Sequence, residues 1–286
     1  MRSGSRAWLA SAALALLGCG RTPNPVVPSF EGSIGMPHRG VLTGGAELPR
    51  EGEGYTWLRQ DDRHYGIPRF VAAIERAART VARERPGGTL AVGDLSRAQG
   101  GQLLPHLSHR TGRDADLLLY LTTLEGAPVA SPGFVHVGND GLAWDDKGKR
   151  FLRFDVERQW LLVKTLVEDP EARIQWVFAS RNVRALLVEW ARARGERAET
   201  IVRAMEVMVQ PQPGGVHDDH VHVRTACAPA EIGAGCEPTG PRRAWIEAAD
   251  AAGAAATDDE ELAFVEELFA PLGGGDARRA NASAAR

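Results

Sequence analysis

The sequence predicts a single α+β domain over residues 35–272, with a central, mainly antiparallel sheet and flanking helices. Helical and strand-like segments follow one another in mixed order, without the regular strand–helix alternation that indicates a doubly wound parallel sheet. No stretch between 35 and 272 has the composition of a linker, and the sequence contains no internal repeat. The hydrophobic fraction of 43% is sufficient for a sizeable core.

The individual elements follow from residue spacing and from the residues that end each segment. In the first helical segment, apolar residues recur at helical spacing after Pro68, and Pro86-Gly87-Gly88 ends the segment. Predicted helices span 67–85, 155–168, 181–194, 198–209 and 260–269. Predicted strands span 89–92, 114–121, 173–179 and 219–225, with a loop over 96–113. In the third of these strands, Ile174, Trp176 and Phe178 alternate onto one face.

The N-terminal segment predicts export. Arg2 and Arg6 precede an apolar stretch over 7–17, which is too short to span a bilayer and fits a secretion signal over residues 1–18. The segment ends in Leu-Leu-Gly before Cys19, which resembles the lipobox at which bacterial lipoproteins are acylated and cut. The alternative is an ordinary signal that happens to carry a cysteine.

Composition predicts how the rest of the chain is organised. Residues 19–34 are rich in Pro, Ser, Thr and Gly and predict a flexible tether, and residues 273–286 predict a disordered tail. In an exported protein, the short separation of Cys227 and Cys236 predicts a disulfide, with two free thiols as the alternative. The net charge of −3, without a long basic stretch, gives no indication of nucleic-acid binding.

A first group of candidate functional residues lies in the predicted strand 219–225. His220 and His222 share one face of that strand, because side chains alternate along it. Two imidazoles on one face are a natural pair for a metal, and Asp219 can accept the N–H of a ring nitrogen that does not bind the metal. A solvated polar face is the alternative.

A second group completes a ligand set. His109 lies near the end of the predicted loop and Asp116 in the strand that follows, and Gly112 allows a tight turn between them. His109, Asp116 and one histidine of the first group offer two nitrogens and one oxygen. Three protein ligands with a fourth position open to water are typical of catalytic zinc. The alternative is a polar loop without a metal.

The two groups, in this order and spacing, resemble the motifs of the penicillin-insensitive murein endopeptidases, which belong with lysostaphin-type peptidases and D-alanyl-D-alanine carboxypeptidases. The matching stretches are Gly93-Asp94-Leu95-Ser96, Gly100-Gly101, His106-x-Ser-His109-x-x-Gly112-x-Asp114-x-Asp116 and His217-Asp-Asp-His220-x-His222-Val-Arg224. Cys227, Gly235-Cys236 and Trp245 are also similar to the C-terminal part of that family.

The resemblance implies roles for individual residues. His109, Asp116 and His222 would hold one zinc ion per chain, and His220 would be the catalytic histidine. His106 and His217 would line the site. From residue chemistry, Arg97 and Arg224 are candidates for holding a substrate carboxylate. The aromatic residues Trp57, Tyr65, Trp144 and Trp176 are predicted to be core in preference to a substrate groove.

The activity implied is hydrolysis of D-alanyl-meso-diaminopimelyl cross-links, with peptidoglycan stem peptides as the binding partner. The expected location is the periplasmic side of the cell envelope, with a lipid anchor in the outer membrane in preference to the inner. Three alternatives remain open. They are a D,D-carboxypeptidase of the same group, an iron(II) oxygenase built on a two-histidine, one-carboxylate triad, and a non-catalytic peptidoglycan-binding module.

Overall fold

The computed structural model describes residues 31–211 and 215–254. The predicted signal peptide, Cys19, the predicted helix at 260–269 and the predicted tail lie outside these residues. The first strand begins at Gly32, so the folded domain includes residues that the sequence assigns to the tether. None of the described helices is long and apolar enough to cross a membrane.

The elements, in chain order, are as follows. The strands are β1 (Gly32–Met36), β2 (Arg39–Thr43), β3 (Ala46–Glu47), β4 (Glu51–Gly52), β5 (Tyr55–Trp57), β6 (Tyr65–Gly66), β7 (Leu90–Val92), β8 (Asp114–Leu118), β9 (Leu121–Thr122), β10 (Pro128–Val129), β11 (Leu142–Asp145), β12 (Arg150–Phe154), β13 (Ile174–Phe178), β14 (Met208–Val209) and β15 (His220–Thr225). The helices are α1 (Pro68–Glu84), α2 (Val156–Glu168), α3 (Arg181–Ala193), α4 (Ala198–Val207) and α5 (Pro229–Gly233).

A seven-stranded sheet forms the centre of the fold, in the order β14-β13-β15-β8-β7-β5-β4. Its pairs are antiparallel except β13 with β14 and β5 with β7. A smaller antiparallel sheet, β10-β9-β12-β11, lies beside it. The predicted α+β class with a mainly antiparallel sheet is confirmed.

The helices cover one face of the central sheet and close the core. Val221 and Val223 of β15 and Leu117 of β8 are fully buried and belong to the same apolar cluster as the inner faces of α1 to α4. Local sequence determines where two of these helices begin. Asp155 accepts a hydrogen bond from the Arg158 backbone at the start of α2, and a serine does the same at the start of α3.

The strand predicted over 114–121 is divided between the two sheets. β8 pairs with β15 and β7 in the central sheet, whereas β9 pairs with β10 and β12 in the smaller one. Leu119 and Tyr120 lie between them, and the Tyr120 backbone N–H is bonded to the Gln159 side chain of α2. The apolar residues over 114–121 therefore belong to two sheets, and local residue spacing does not indicate where one sheet ends and the other begins.

The predicted strand over 173–179 is present, but the predicted alternation holds only for Trp176 and Phe178, whose ring centroids lie 5.7 Å apart. The register of β13 against β15 shifts between Ile174 and Trp176, so Ile174 does not continue their face. Ile174 and Val177 are buried in the core, while Trp176 and Phe178 are only partly covered. Phe178 is the cross-strand partner of His222, and the centroids of their rings lie 5.3 Å apart.

The predicted disulfide is present. Cys227 and Cys236 are bonded, and α5 lies between them. The buried Arg113 guanidinium donates to the Cys227 sulfur and to the backbone carbonyls of Gly35 and Glu237. The disulfide thus stands at a point where the N-terminal strand, the start of β8 and the C-terminal segment meet.

Candidate metal centre and catalytic cavity

The pairing of β8 with β15 brings the two predicted groups together. His222 is the cross-strand partner of Asp116, and Arg224 is the partner of Asp114. Since side chains alternate across a sheet, these residues lie on the face opposite the valines of the core. Phe178 of β13 is the partner of His222 on its other side.

Three potential ligand atoms form a nearly equilateral triangle on this face. His109 Nε2 lies 3.3 Å from Asp116 Oδ1 and 3.3 Å from His222 Nδ1, and His222 Nδ1 lies 3.2 Å from Asp116 Oδ1. In a tetrahedral zinc site with bonds of about 2.0–2.1 Å, ligand atoms are roughly 3.3–3.4 Å apart. The triangle therefore has the dimensions of three corners of such a site.

Asp116 is the strongest indication of a bound cation. Its carboxylate is buried, and neither oxygen accepts a hydrogen bond of good geometry from the described residues. Three imidazole nitrogens nevertheless lie 3.2–3.4 Å from Oδ1. A buried carboxylate without partners is costly, so nitrogens that converge with it on a common point fit a metal centre.

Hydrogen bonds orient the rings of His109 and His222, the two histidines of the triangle. His109 Nδ1 lies 2.6 Å from the Leu95 carbonyl oxygen, and His222 Nε2 lies 2.8 Å from Asp114 Oδ1. Each of these nitrogens donates to its acceptor, so the lone pair is on the other nitrogen, which faces the triangle. The acceptors thus select the tautomer in which each ring can bind a metal.

The loop that carries His109 is shaped by a serine and a glycine. Ser96 Oγ donates to the His109 carbonyl at 2.7 Å and accepts from the Gly112 backbone at 2.9 Å. Gly112 has a φ of 71°, and a Cβ there would lie 2.8 Å from a Leu42 methyl group. His109 itself has a φ of 64°, which is uncommon outside glycine. Such backbone strain concentrates at functional sites.

His220 lies at the more open edge of the triangle. Its Nδ1 is 2.6 Å from Asp219 Oδ1, and its Nε2 is 3.4 Å from Asp116 Oδ1. Its side chain is 16% exposed, compared with 8% for His222. His217 stacks obliquely against it at 4.9 Å between ring centroids. Asp219 therefore accepts a hydrogen bond from His220, and not from His109 or His222, whose rings form the triangle with Asp116.

His106 approaches the same carboxylate from another side. Its Nε2 is 2.7 Å from Asp94 Oδ2, and its Nδ1 is 3.7 Å from Asp116 Oδ2. The potential ligand atoms of His106, His109 and Asp116 all lie within 4.8 Å of one another. His106 is thus a geometric competitor for a place in the ligand set.

The charges around the site favour ionised carboxylates. Burial acts to raise the pKa of Asp116, but His109, His220 and His222 hold it well below the usual value. Burial likewise opposes ionisation of Asp114, and the Arg224 guanidinium leads the groups that hold its pKa well below the usual value. Burial opposes protonation of His220, but the neighbouring carboxylates of Asp116 and Asp219 outweigh burial and raise the pKa of His220 to about 10.

The histidines open onto a cavity of about 700 Å³. Its walls come from residues 105–108 on the loop before His109 and from residues 215–220 before β15. Arg224 also lines it, with its Nε 2.6 Å from Asp114 Oδ1 and its guanidinium over the Phe178 ring. The site is therefore a cleft with a buried anionic floor, a ring of imidazoles and one arginine in its wall.

Comparison with known proteins agrees with this geometry. The family model of the penicillin-insensitive murein endopeptidases matches residues 33–254. The chain belongs to this family. The chain is 30% identical to the penicillin-insensitive murein endopeptidase of Haemophilus influenzae over 232 residues. The aligned region covers 73% of each protein. The enzymes of the same name from Salmonella paratyphi B and Salmonella newport are 36% identical over 118 residues, or 42% of their length.

Membership of the family establishes a murein endopeptidase as the class of enzyme. The structure brings together the residues that the sequence singled out on β8, β15 and the preceding loops. It also shows partners that sequence reasoning had not assigned. Asp114 holds His222, Asp94 holds His106, and the Leu95 carbonyl holds His109. Asp94 and Leu95 belong to the Gly93-Asp94-Leu95-Ser96 stretch, which the sequence singles out without indicating these contacts.

Trp144 and Arg97 both lie outside the 700 Å³ cavity. Trp144 is not core, because it is 42% exposed and lines a second cavity. Its neighbours Ala143 and Asp145 face inward, so the strand alternation that buries them turns the indole outward. Arg97 is exposed and is not among the residues that line the 700 Å³ cavity. Its proposed contact with a substrate carboxylate stays a prediction.

Proposed function

We propose that this protein is a zinc-dependent murein endopeptidase that hydrolyses D-alanyl-meso-diaminopimelyl cross-links in peptidoglycan. The observation that supports this most directly is the triangle of His109 Nε2, Asp116 Oδ1 and His222 Nδ1, with sides of 3.2–3.3 Å. Two imidazoles and one carboxylate with an open fourth position are a typical donor set for catalytic zinc.

The proposed ligands are His109, Asp116 and His222, with His106 beside them. His222 Nδ1 is 3.2 Å from Asp116 Oδ1, the oxygen that also faces His109, whereas His106 Nδ1 is 3.7 Å from the other oxygen. A single ion bound through one carboxylate oxygen is therefore reached better by His222. His106 would line the cavity and contact substrate.

A bound zinc ion would supply a Lewis acid and lower the pKa of a water molecule to about 7. Side chains of the protein would transfer the proton and bind the substrate. Asp219 orients His220 so that its Nε2 faces the reacting centre, where it can hold a proton, donate it to the leaving amine and stabilise the charge on the carbonyl oxygen. Arg224 is proposed to bind a carboxylate of the peptide, because its fork lies in the cavity wall.

The reaction can be read directly from its products. Purified protein should convert cross-linked muropeptide dimers into monomers, detected by mass, and metal analysis should find one zinc per chain. A D,D-carboxypeptidase would instead remove one D-alanine from uncross-linked pentapeptides and leave the dimers intact. Protein with full zinc occupancy that alters neither substrate would show that the proposed activity is wrong.

Export and lipid anchoring are part of the proposal and rest on the sequence around Cys19, outside the described residues. We expect acylation of Cys19 and attachment to the periplasmic face of a membrane, with the outer membrane favoured. Cys19→Ser should lose the acyl mass and leave the membrane fraction, while the unchanged catalytic domain keeps its activity. Wild-type protein that is already unacylated would refute the anchor.

A further inference from the structure

A second cavity adjoins the proposed catalytic cavity. It has a volume of about 600 Å³ and lies between residues 58–59, 132–136 and 144–147. His136 lines both cavities, and the Phe134 ring at their border is edge-on to His220 with 5.4 Å between centroids. A ligand bound in the second cavity would therefore lie next to the proposed reacting centre.

Trp144 lines this cavity and belongs to an exposed aromatic pair. Trp144 of β11 and Phe151 of β12 are cross-strand partners whose rings meet edge to face at 4.9 Å. They are 42% and 54% exposed. Leaving two large apolar rings in water forgoes the stabilisation that burial provides, so core packing does not explain them.

The indole is held in place before any ligand binds. Trp144 Nε1 donates to Asp146 Oδ1 at 2.9 Å, which limits rotation of the ring. Asp145 accepts from the backbone of Lys147 and Gly148 and so forms the turn of this hairpin. A preorganised aromatic face costs less ordering entropy on binding than a mobile one.

The charged side chains of the cavity are engaged by neighbouring groups. Arg59 is paired with Asp94 at 3.1 Å, and Asp145 with Arg150 at 3.3 Å. Lys147 donates to the Pro132 carbonyl at 3.2 Å, and His136 contacts Asp218 at 2.7 Å. The stem peptide of the proposed substrate carries several free carboxylates, for which a cavity with several free cations would be expected. A neutral ligand rich in hydroxyl and amide groups fits these polar groups around an aromatic platform better.

We propose that this cavity is a glycan subsite, in which Trp144 stacks against a sugar ring of the peptidoglycan strand while the attached peptide enters the catalytic cavity. The C–H face of an N-acetylated pyranose is weakly positive and suits the negative face of an indole. The surrounding Asp146, Lys147 and Arg59 side chains offer acceptors and donors for its hydroxyl and acetamido groups. This assignment rests on the proposed function for the identity of the polymer.

Binding is measured first, without catalysis. Glycan strands freed of peptides by an amidase are titrated into wild-type protein, Trp144→Ala and Trp144→Phe, with calorimetric detection. Leu124→Ala is the matched control, because Leu124 is an exposed apolar residue beside β9 of the same sheet and does not line the cavity. Wild type and the control should bind alike, Trp144→Ala should bind about tenfold more weakly, and Trp144→Phe, which keeps an aromatic face but loses the bond to Asp146, should lie between them. Equal melting temperatures exclude misfolding.

Hydrolysis then separates glycan from peptide recognition. On intact sacculi, Trp144→Ala should raise KM by about tenfold with kcat unchanged, and on cross-linked peptides without sugars it should equal wild type. Equal losses on both substrates would place the peptide in this cavity and overturn the proposal, as would glycan binding that is unchanged by Trp144→Ala. If wild type binds glycan through Trp144 but hydrolyses neither substrate, the glycan subsite stands and the proposed endopeptidase activity fails.

Discussion

Asp114→Asn tests the proposed ligand set through a residue that does not itself bind the metal. Asp114 is fully buried and accepts three hydrogen bonds, from His222 Nε2 at 2.8 Å, Arg224 Nε at 2.6 Å and the His109 backbone N–H at 3.1 Å. The asparagine side chain has the same shape, so no void forms. It lacks the charge, and its amide nitrogen must face one of these donors.

The expected loss of zinc affinity follows from the hydrogen bond between the Asp114 carboxylate and the His222 ring. A hydrogen bond to a charged group contributes about 1.5–3 kcal/mol, compared with about 1 kcal/mol for a neutral one. Losing such a partner of a metal-binding histidine lowers metal affinity by about 10–100-fold. That factor corresponds to about 1.4–2.7 kcal/mol. We therefore expect Asp114→Asn to fold and to bind zinc about 10–100-fold more weakly.

The assay is a zinc titration against a competing chelator, with Asp94→Asn as the matched control. Asp94 is also a buried carboxylate that holds a histidine, since its Oδ2 lies 2.7 Å from His106 Nε2. If His222 is the ligand, Asp94→Asn keeps wild-type zinc affinity. The reverse pattern, with affinity lost only in Asp94→Asn, would assign the ligand position to His106 and refute our reasoning.

Three further outcomes are expected. His222→Ala should lose both zinc and activity, whereas His220→Ala should keep its zinc and lose turnover by about 10²–10⁴-fold. The assay measures metal content and muropeptide hydrolysis of both variants. A His220→Ala variant without zinc beside a His222→Ala variant that keeps it would contradict these roles. Replacing Cys227 and Cys236 together by serine should lower the free energy of unfolding by about 2–3 kcal/mol, because the bond closes a short loop, and urea unfolding with unchanged stability would count against this. Burial lowers the pKa of His64 below its unfolded value of about 6.5, so its contribution to stability is lost as pH falls below that value. In urea unfolding, the stability of wild type relative to His64→Phe should therefore decrease between about pH 7.5 and about pH 5.5, and a constant difference would rule out this linkage.

Local patterns were sufficient where one short segment contains all the information. The helices α1 to α4 lie within one or two residues of their predicted ends at most termini, because apolar spacing, proline, glycine and capping residues act locally. Strands are present at 114–121 and at 173–179 as predicted, but the prediction missed an irregularity in each. There, the change of sheet and the register shift depend on which strand lies alongside. The exposure of Trp144 was missed because no strand was predicted over 142–145, where strand alternation turns the indole outward.

The sequence by itself determined the residue types of the candidate site: an aspartate and histidines in two separated segments, each with the spacing that places them on a strand or before it. Only the tertiary structure decided which nitrogen of each ring faces the centre and which carboxylate supports it. His222 is oriented by Asp114, which is 108 residues away in the chain, and that contact exists because β15 pairs with β8 in one particular register. Strand register is set by the packing of the whole sheet against the core, so no local pattern in either segment specifies it.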